Sequence, residues 1–419
     1  MKRLSILILT LVLLLCACAA NERTPSAPSP PAQSAEQITQ SQEDQRAVEL
    51  PRYTPQLLPN EPTEPPLPDP REETVSALLS SMSIEEKVGQ LFFVRCPTYS
   101  QVEKISEYHL GGYLLFTRDF QNSAGQWLSE DEFTAKIASY QAAAAIPLLI
   151  GVDEEGGSVA RASQNPNLFT AKRKSPQTIY KNGGMEAVIQ DTFDVNNRLL
   201  SLGINVNFAP VADVSINKSD FIFDRTFGQD TVATAEYITA VVSQMNACVV
   251  NGETRAIGSV LKHFPGYGNN IDTHTGIAVD TRAYETFFSE DFLPFIAGID
   301  AGAGAVLVSH NIVACMDDSL PASLSVEVHR ILREELDFDG VILTDDLAMD
   351  AVTSYADRVA VLALLSGNSM IVTTDFETQI NEVLAAIACG EISEELIDSA
   401  VRYVLNWKYD LGLLQGESS

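Results

Sequence analysis

Two side chains in the stretch KHFPGYGNNIDTHTG, Asp272 and His274, have the types and the spacing that proton transfer asks for. An imidazole titrates near neutrality, with an unperturbed pKa of about 6.5, and an aspartate two residues earlier can orient the ring and favour its protonated form. A third group, Asp345, ends the apolar run GVILTDD, where a carboxylate can serve as nucleophile. Its neighbour Asp346 reads instead as a cap for a helix starting near Met349. A D-x-H pair is common by itself; its company raises its interest. Asp153, Asp213, Lys262 with His263, Ser309 with His310, and Asp375 also stand at or just beyond the ends of apolar runs. Each alone reads equally as a cap or a solvated loop residue, and His310 as a site wall or a buried structural histidine.

The elements that must position these groups are legible as a repeating pattern. Runs of strand length occur at 91–96 (LFFVRC), 111–116 (GGYLLF), 147–153 (PLLIGVD), 204–210 (INVNFAP), 259–266 (SVLKHFPG), 303–310 (AGAVLVSH), 340–346 (GVILTDD) and 369–374 (SMIVTT). They are apolar along most of their length, as parallel strands covered on both faces are. Longer stretches of helical period separate them. Ser129 followed by Glu132 forms a capping box before one, LSVEVHRILREEL from Leu324 has an apolar face, and ISEELIDSAVRYVLNWKYDLGLL closes the chain as a long amphipathic helix. Eight such pairs predict an α/β fold, a single (β/α)8 TIM-type barrel whose site is built where the strands run out into the following loops.

The whole chain has 419 residues, 45% of them hydrophobic, with a net charge of −29. That balance excludes nucleic acid, whose phosphates it would repel, and disfavours anionic lipid surfaces. The opening MKRLSILILTLVLLLCACAA has a basic start and an apolar segment shorter than the ~20 residues of a membrane-spanning helix, so it reads as an export signal. LCAC resembles a bacterial lipoprotein cleavage box, with Cys18 the acylated residue and an ordinary cleaved signal the alternative. The expected organisation is a signal over 1–18, a Pro/Ser/Glu-rich disordered tether over 19–74, a barrel over 75–414 and a tail over 415–419. Membrane contact is expected only through the lipid, on the outer face of the cell membrane. Cys96, Cys248, Cys315 and Cys389 are too scattered for a disulfide framework or zinc site, so at most one disulfide, no metal and no cofactor are expected.

Four motifs in order, DEEGGSVAR (Asp153 to Arg161), DRTFG (Asp224 to Gly228), KHFPGYG with DTH, and TDDLAMDA (Thr344 to Ala351), resemble glycoside hydrolase family 3, in its β-N-acetylhexosaminidase branch. The resemblance runs from about Val75 to Leu414. It implies a (β/α)8 barrel and removal of terminal β-linked N-acetylglucosamine with retention, through a covalent glycosyl-enzyme. It makes Asp345 the nucleophile and His274 the acid/base, assisted by Asp272, where ordinary glycosidases use a carboxylic acid. Sugar contacts carry over to Asp153, Arg161, Arg225, Lys262 and His263, with Gly156 and Gly157 letting backbone approach closely. Muropeptides or other GlcNAc-terminated glycans would be the substrate, and the protein a monomer. This chain departs from the family pattern at Tyr267, where a second histidine is usual, and in DTH for DSH and DEEGG for DQEGG; Tyr267 puts the loop geometry in question. A family 3 β-glucosidase or xylosidase, a GlcNAc phosphorylase, and a non-catalytic sugar-binding lipoprotein are the alternatives.

Overall fold

The computed structural model describes residues 69–271, 278–349, 352 and 356–414. Cys18, Asp272, His274 and most of the helix expected from Met349 lie outside them. The eight apolar runs form eight parallel strands: β1 (Phe92–Arg95), β2 (Gly112–Leu115), β3 (Leu149–Val152), β4 (Val206–Asn207), β5 (Gly258–Phe264), β6 (Ala305–Val308), β7 (Val341–Thr344) and β8 (Ile371–Thr373). Consecutive strands pair from β1 to β7, and β8 pairs with β1 through Phe92 and Ile371. The seam between β7 and β8 is held by one bridge, Leu343 to Met370, with Met370 N–H donating to Ile342 O at 3.0 Å. The result is the nearly closed barrel that the alternation predicted.

The helices form the outer layer, α1 and α2 ahead of β1 and the others after the strands; among them are α1 (Pro70–Ser81), α2 (Ile84–Gln90), α3 (Gln101–Tyr108), α4 (Glu130–Ala143), α5 (Pro176–Ser201), α6 (Thr231–Met245), α7 (Phe292–Asp300), α8 (Val326–Arg330), α9 (Val359–Ser366), α10 (Phe376–Ala388) and α11 (Glu394–Asp410). Their ends follow local chemistry. Ser129 and Glu132 make the predicted capping box of α4. α1 opens at Pro70, ahead of the boundary expected at Val75, because Asp69 caps it and Glu72 and Glu73 complement the dipole of its first turn. α11 buries Ile397, Val401, Val404 and Leu405 on one face.

Inside the barrel, Phe93 of β1 and Phe208 meet edge to face with ring centres 5.1 Å apart. Gly151 of β3 lies against both rings; a Cβ there would fall 2.7 Å from Phe93 and 2.8 Å from Phe208. The barrel interior is thus a packed core of buried side chains, not a pore. That solid floor is what confines the chemistry to the strand ends.

Candidate active site

A cavity of about 580 Å³ opens at the C-terminal ends of the strands. Its wall takes residues from around the ring: Arg95 at the end of β1, Phe116 after β2, Asp153 and Arg161 after β3, Arg225 after β4, Lys262 and His263 on β5, and Asp345 after β7. All five residues expected to touch the sugar, and the expected nucleophile, therefore line one cavity. Asp272 and His274 fall outside the described residues, between the described ends Ile271 and Ala278.

The centre of the cluster is a residue the sequence reading passed over. Glu155 is buried, and its Oε1 lies 2.6 Å from Lys262 Nζ and 2.7 Å from Arg225 Nη2, while Arg225 Nε donates to its Oε2 at 3.0 Å. Lys262 Nζ also donates to Asp153 Oδ1 at 2.7 Å. Burial works against charge on Glu155, but Arg225 and Lys262 outweigh it and hold the carboxyl well below the usual range. Burial equally opposes the Lys262 ammonium, and Asp153 and Glu155 reverse that effect and raise its pKa. The groups charge one another, so a substrate meets a preformed array that costs little to reorganise. The available signal was spacing: Asp153 and Glu155, two apart in an extended segment, share a face.

Glu154, on the opposite face, does different work. Its Oε2 accepts backbone N–H groups of Arg161 at 2.9 Å, Ala162 at 2.8 Å and Ser163 at 3.2 Å, while Arg173 donates to its carbonyl. This fixes the turn that presents Arg161. Gly156 and Gly157 take positive φ, +94° and +64°, and a Cβ on Gly156 would meet Lys174 O at 2.2 Å. Their freedom lets the chain approach its own 173–175 segment closely.

Asp213 is consumed by the scaffold. It is buried, and its Oδ2 accepts from His263 N at 3.1 Å and faces His263 Nδ1 at 2.7 Å, while its Oδ1 accepts from Tyr267 N at 2.7 Å. Tyr267 is itself buried, with its ring 5.6 Å from that of His263 and 5.7 Å from that of Phe221. The loop that leads to Asp272 and His274 thus starts from a pinned root. Asp346 is structural, as expected: its carboxylate accepts from Ala348 N at 3.0 Å, Thr374 N at 3.2 Å and Thr374 Oγ1 at 2.9 Å. His310 resolves toward structure, fully buried between Ser323 Oγ at 2.7 Å and Asp346 O at 3.1 Å, where it steadies the turn carrying Asp345. Ser309 is buried behind the wall, and Asp375 stands at the start of α10, bonded to Thr378.

The chain is similar to known proteins in sequence and fold. Residues 83–407 match the family model for the glycosyl hydrolase family 3 N-terminal domain. A β-hexosaminidase of Xylella fastidiosa (strain M23) is 32% identical over 314 residues, covering 73% of this chain and 89% of the relative. One from Hydrogenovibrio crunogenus is 31% identical over 293 residues, covering 68% and 77%. Among solved structures, a family 3 β-N-acetylglucosaminidase from Paenibacillus sp. str. FPU-7 superposes with a TM-score of 0.72 at 28% identity; the match covers 81% of this chain and 64% of that longer one. With the barrel, the strand-end cavity and these relatives in agreement, the chain belongs to glycoside hydrolase family 3, in its β-hexosaminidase branch, and is a glycoside hydrolase.

Proposed function

We propose that this protein is a retaining exo-β-N-acetylglucosaminidase that removes terminal β-linked GlcNAc from peptidoglycan fragments or similar glycans. The observation that carries this reading is the convergence of Asp345 with Asp153, Arg161, Arg225, Lys262 and His263 on one cavity. Asp345 attacks the anomeric carbon while His274 gives its proton to the departing glycosidic oxygen, leaving a glycosyl ester on Asp345. His274 then takes a proton from water as that water attacks the same carbon, and Asp345 leaves as carboxylate with the configuration retained. Asp272 orients the imidazole throughout. Asp153 accepts from sugar hydroxyls, and Lys262, Arg161 and Arg225 donate charge-assisted bonds to hydroxyl and acetamido oxygens.

Export on the signal at 1–18, acylation of Cys18 and the 19–74 tether would place the barrel near wall material outside the membrane. Cys18→Ser is expected to move the protein from the membrane fraction to the soluble one. The catalytic reading is tested with an aryl β-N-acetylglucosaminide and a slowly released 5-fluoro analogue. Turnover, together with a covalent label on the peptide containing Asp345, is the expected result. No turnover of the aryl glycoside, or a label on another carboxylate, rejects the assignment, and a sugar phosphate formed in phosphate buffer would mark a phosphorylase.

A further inference from the structure

The cavity holds two cations that the cluster around Glu155 leaves unmatched. Arg95, at the end of β1, lies with its guanidinium carbon 4.1 Å from the centre of the Phe116 ring, and Arg161 approaches the same ring at 5.6 Å. Both line the cavity, yet the Nε–H of each is buried without an acceptor. Among the described residues neither is in an ion pair, whereas Lys262 and Arg225 share Asp153 and Glu155. Asp153, Asp345 and Asp346 line the same cavity, yet no described carboxylate comes within ion-pair distance of either arginine.

A guanidinium resting on an aromatic face is held by its π surface and keeps its in-plane N–H donors for another partner. Two such forks on one ring are suited to an oxyanion, which accepts two donors from each. The cavity says where that anion sits. Arg95 and Arg161 share it with Asp153 and Asp345, so on the exo-glycosidase reading this wall faces the terminal sugar and not its aglycone. Among that sugar's hydroxyl oxygens, the exocyclic C6 oxygen projects furthest from the ring.

We propose that Arg95 and Arg161, held over Phe116, form a subsite for a sulfate or phosphate ester on the C6 oxygen of the terminal hexosamine. The placement on the terminal sugar rests on the exo-glycosidase reading above; the anion subsite itself does not. The test compares aryl 6-O-sulfo-, 6-O-phospho- and unsubstituted β-N-acetylglucosaminides with the wild type, Arg95→Leu and Arg95→Lys. At least one ester is expected to exceed the unsubstituted substrate in kcat/KM by about tenfold or more, through KM, the scale of one charge-assisted pair. Arg95→Leu removes that excess and Arg95→Lys keeps part of it, and the two esters distinguish sulfate from phosphate. A wild type that prefers the unsubstituted substrate to both esters, or a preference unchanged in Arg95→Leu, overturns the proposal. Calorimetry with free 6-sulfo-GlcNAc, 6-phospho-GlcNAc and GlcNAc separates the two readings. Tighter binding of a charged sugar that Arg95→Leu abolishes upholds the subsite even where no glycoside is turned over, and equal binding of all three sugars overturns it.

Discussion

Arg225 Nη2 lies 3.0 Å from His263 Nε2 and donates to it, which leaves that nitrogen as acceptor and puts the ring proton on Nδ1, facing Asp213 Oδ2 at 2.7 Å. His263 is therefore wedged between a cation and an anion. The same arginine is gripped by Glu155, so strand end, ring and guanidinium are set by one chain of bonds from Asp213 to Lys262.

Asp213→Ala tests the scaffold end of that chain. It leaves the His263 and Tyr267 backbone donors and the His263 ring proton buried without acceptors. At roughly 1–3 kcal/mol for an unpaired buried donor, and with the three sharing one carboxylate, a loss of about 3 kcal/mol is expected. Chemical denaturation checks the figure, and a loss below ~1 kcal/mol would show that water replaces the carboxylate.

Glu155→Gln tests the centre. The amide cannot balance two cations; Lys262 keeps Asp153 but Arg225 loses its carboxylate, and breaking such a buried pair typically costs about 3–5 kcal/mol. A lower melting temperature and a large fall in kcat/KM are expected together. The sign of the pH dependence follows from the depressed carboxyl. Its stabilisation is present above the ordinary value of 4.5 and is withdrawn only as pH falls through the lower folded value. The wild type thus keeps the cluster intact at pH 5, and the stability gap between wild type and Glu155→Gln stays flat from pH 5 to 8.

The two residues also show how far residue types and spacing carry. The eight strands were legible because both faces of each are covered, which forces continuous apolar runs. β4 proved shorter than INVNFAP suggested, confined to Val206–Asn207. Asp153, Lys262 and His263 were legible because a barrel aims its strand ends at one place. Asp213 and Asp153 look alike in sequence, and only the course of the loop after β5 turns one into a scaffold acceptor and leaves the other facing the cavity. Glu154 and Glu155 are adjacent and identical, and which side of the extended segment faces Lys262 is decided by tertiary packing. Arg95 passed unnoticed because a lone charge at the end of an apolar run reads as a solvated terminus.

Lys408 on α11 tests burial away from the catalytic end. Its ammonium is fully buried, donates to Gln90 Oε1 at 2.6 Å, and is pushed by burial from 10.5 down to about 7. Between those values the unfolded chain holds the proton and the folded one releases it, so stability rises with pH across that window and the penalty is full below it. Lys408→Met is expected to gain roughly 2–4 kcal/mol near pH 6, after allowing for the acceptor left on Gln90, and to lose that advantage toward pH 10. Melting curves across this range check it; a difference independent of pH would mean that packing, not titration, separates the two proteins.

His274→Ala tests the chemistry at the one position that decides between an acid/base enzyme and a binding protein. Cleavage of an alkyl or sugar aglycone needs a proton on the departing oxygen, whereas a dinitrophenolate leaves without one. The variant should therefore lose about 10²–10⁴-fold on substrates with poor leaving groups and far less in the glycosylation of Asp345 by the activated substrate. Hydrolysis of the glycosyl ester still lacks its base, so turnover of the activated substrate stalls at that step. Azide is already an anion and needs no proton removed, so adding it should restore turnover and yield a β-glycosyl azide. Equal losses on both substrate classes, with no response to azide, would place the acid/base elsewhere on the barrel rim.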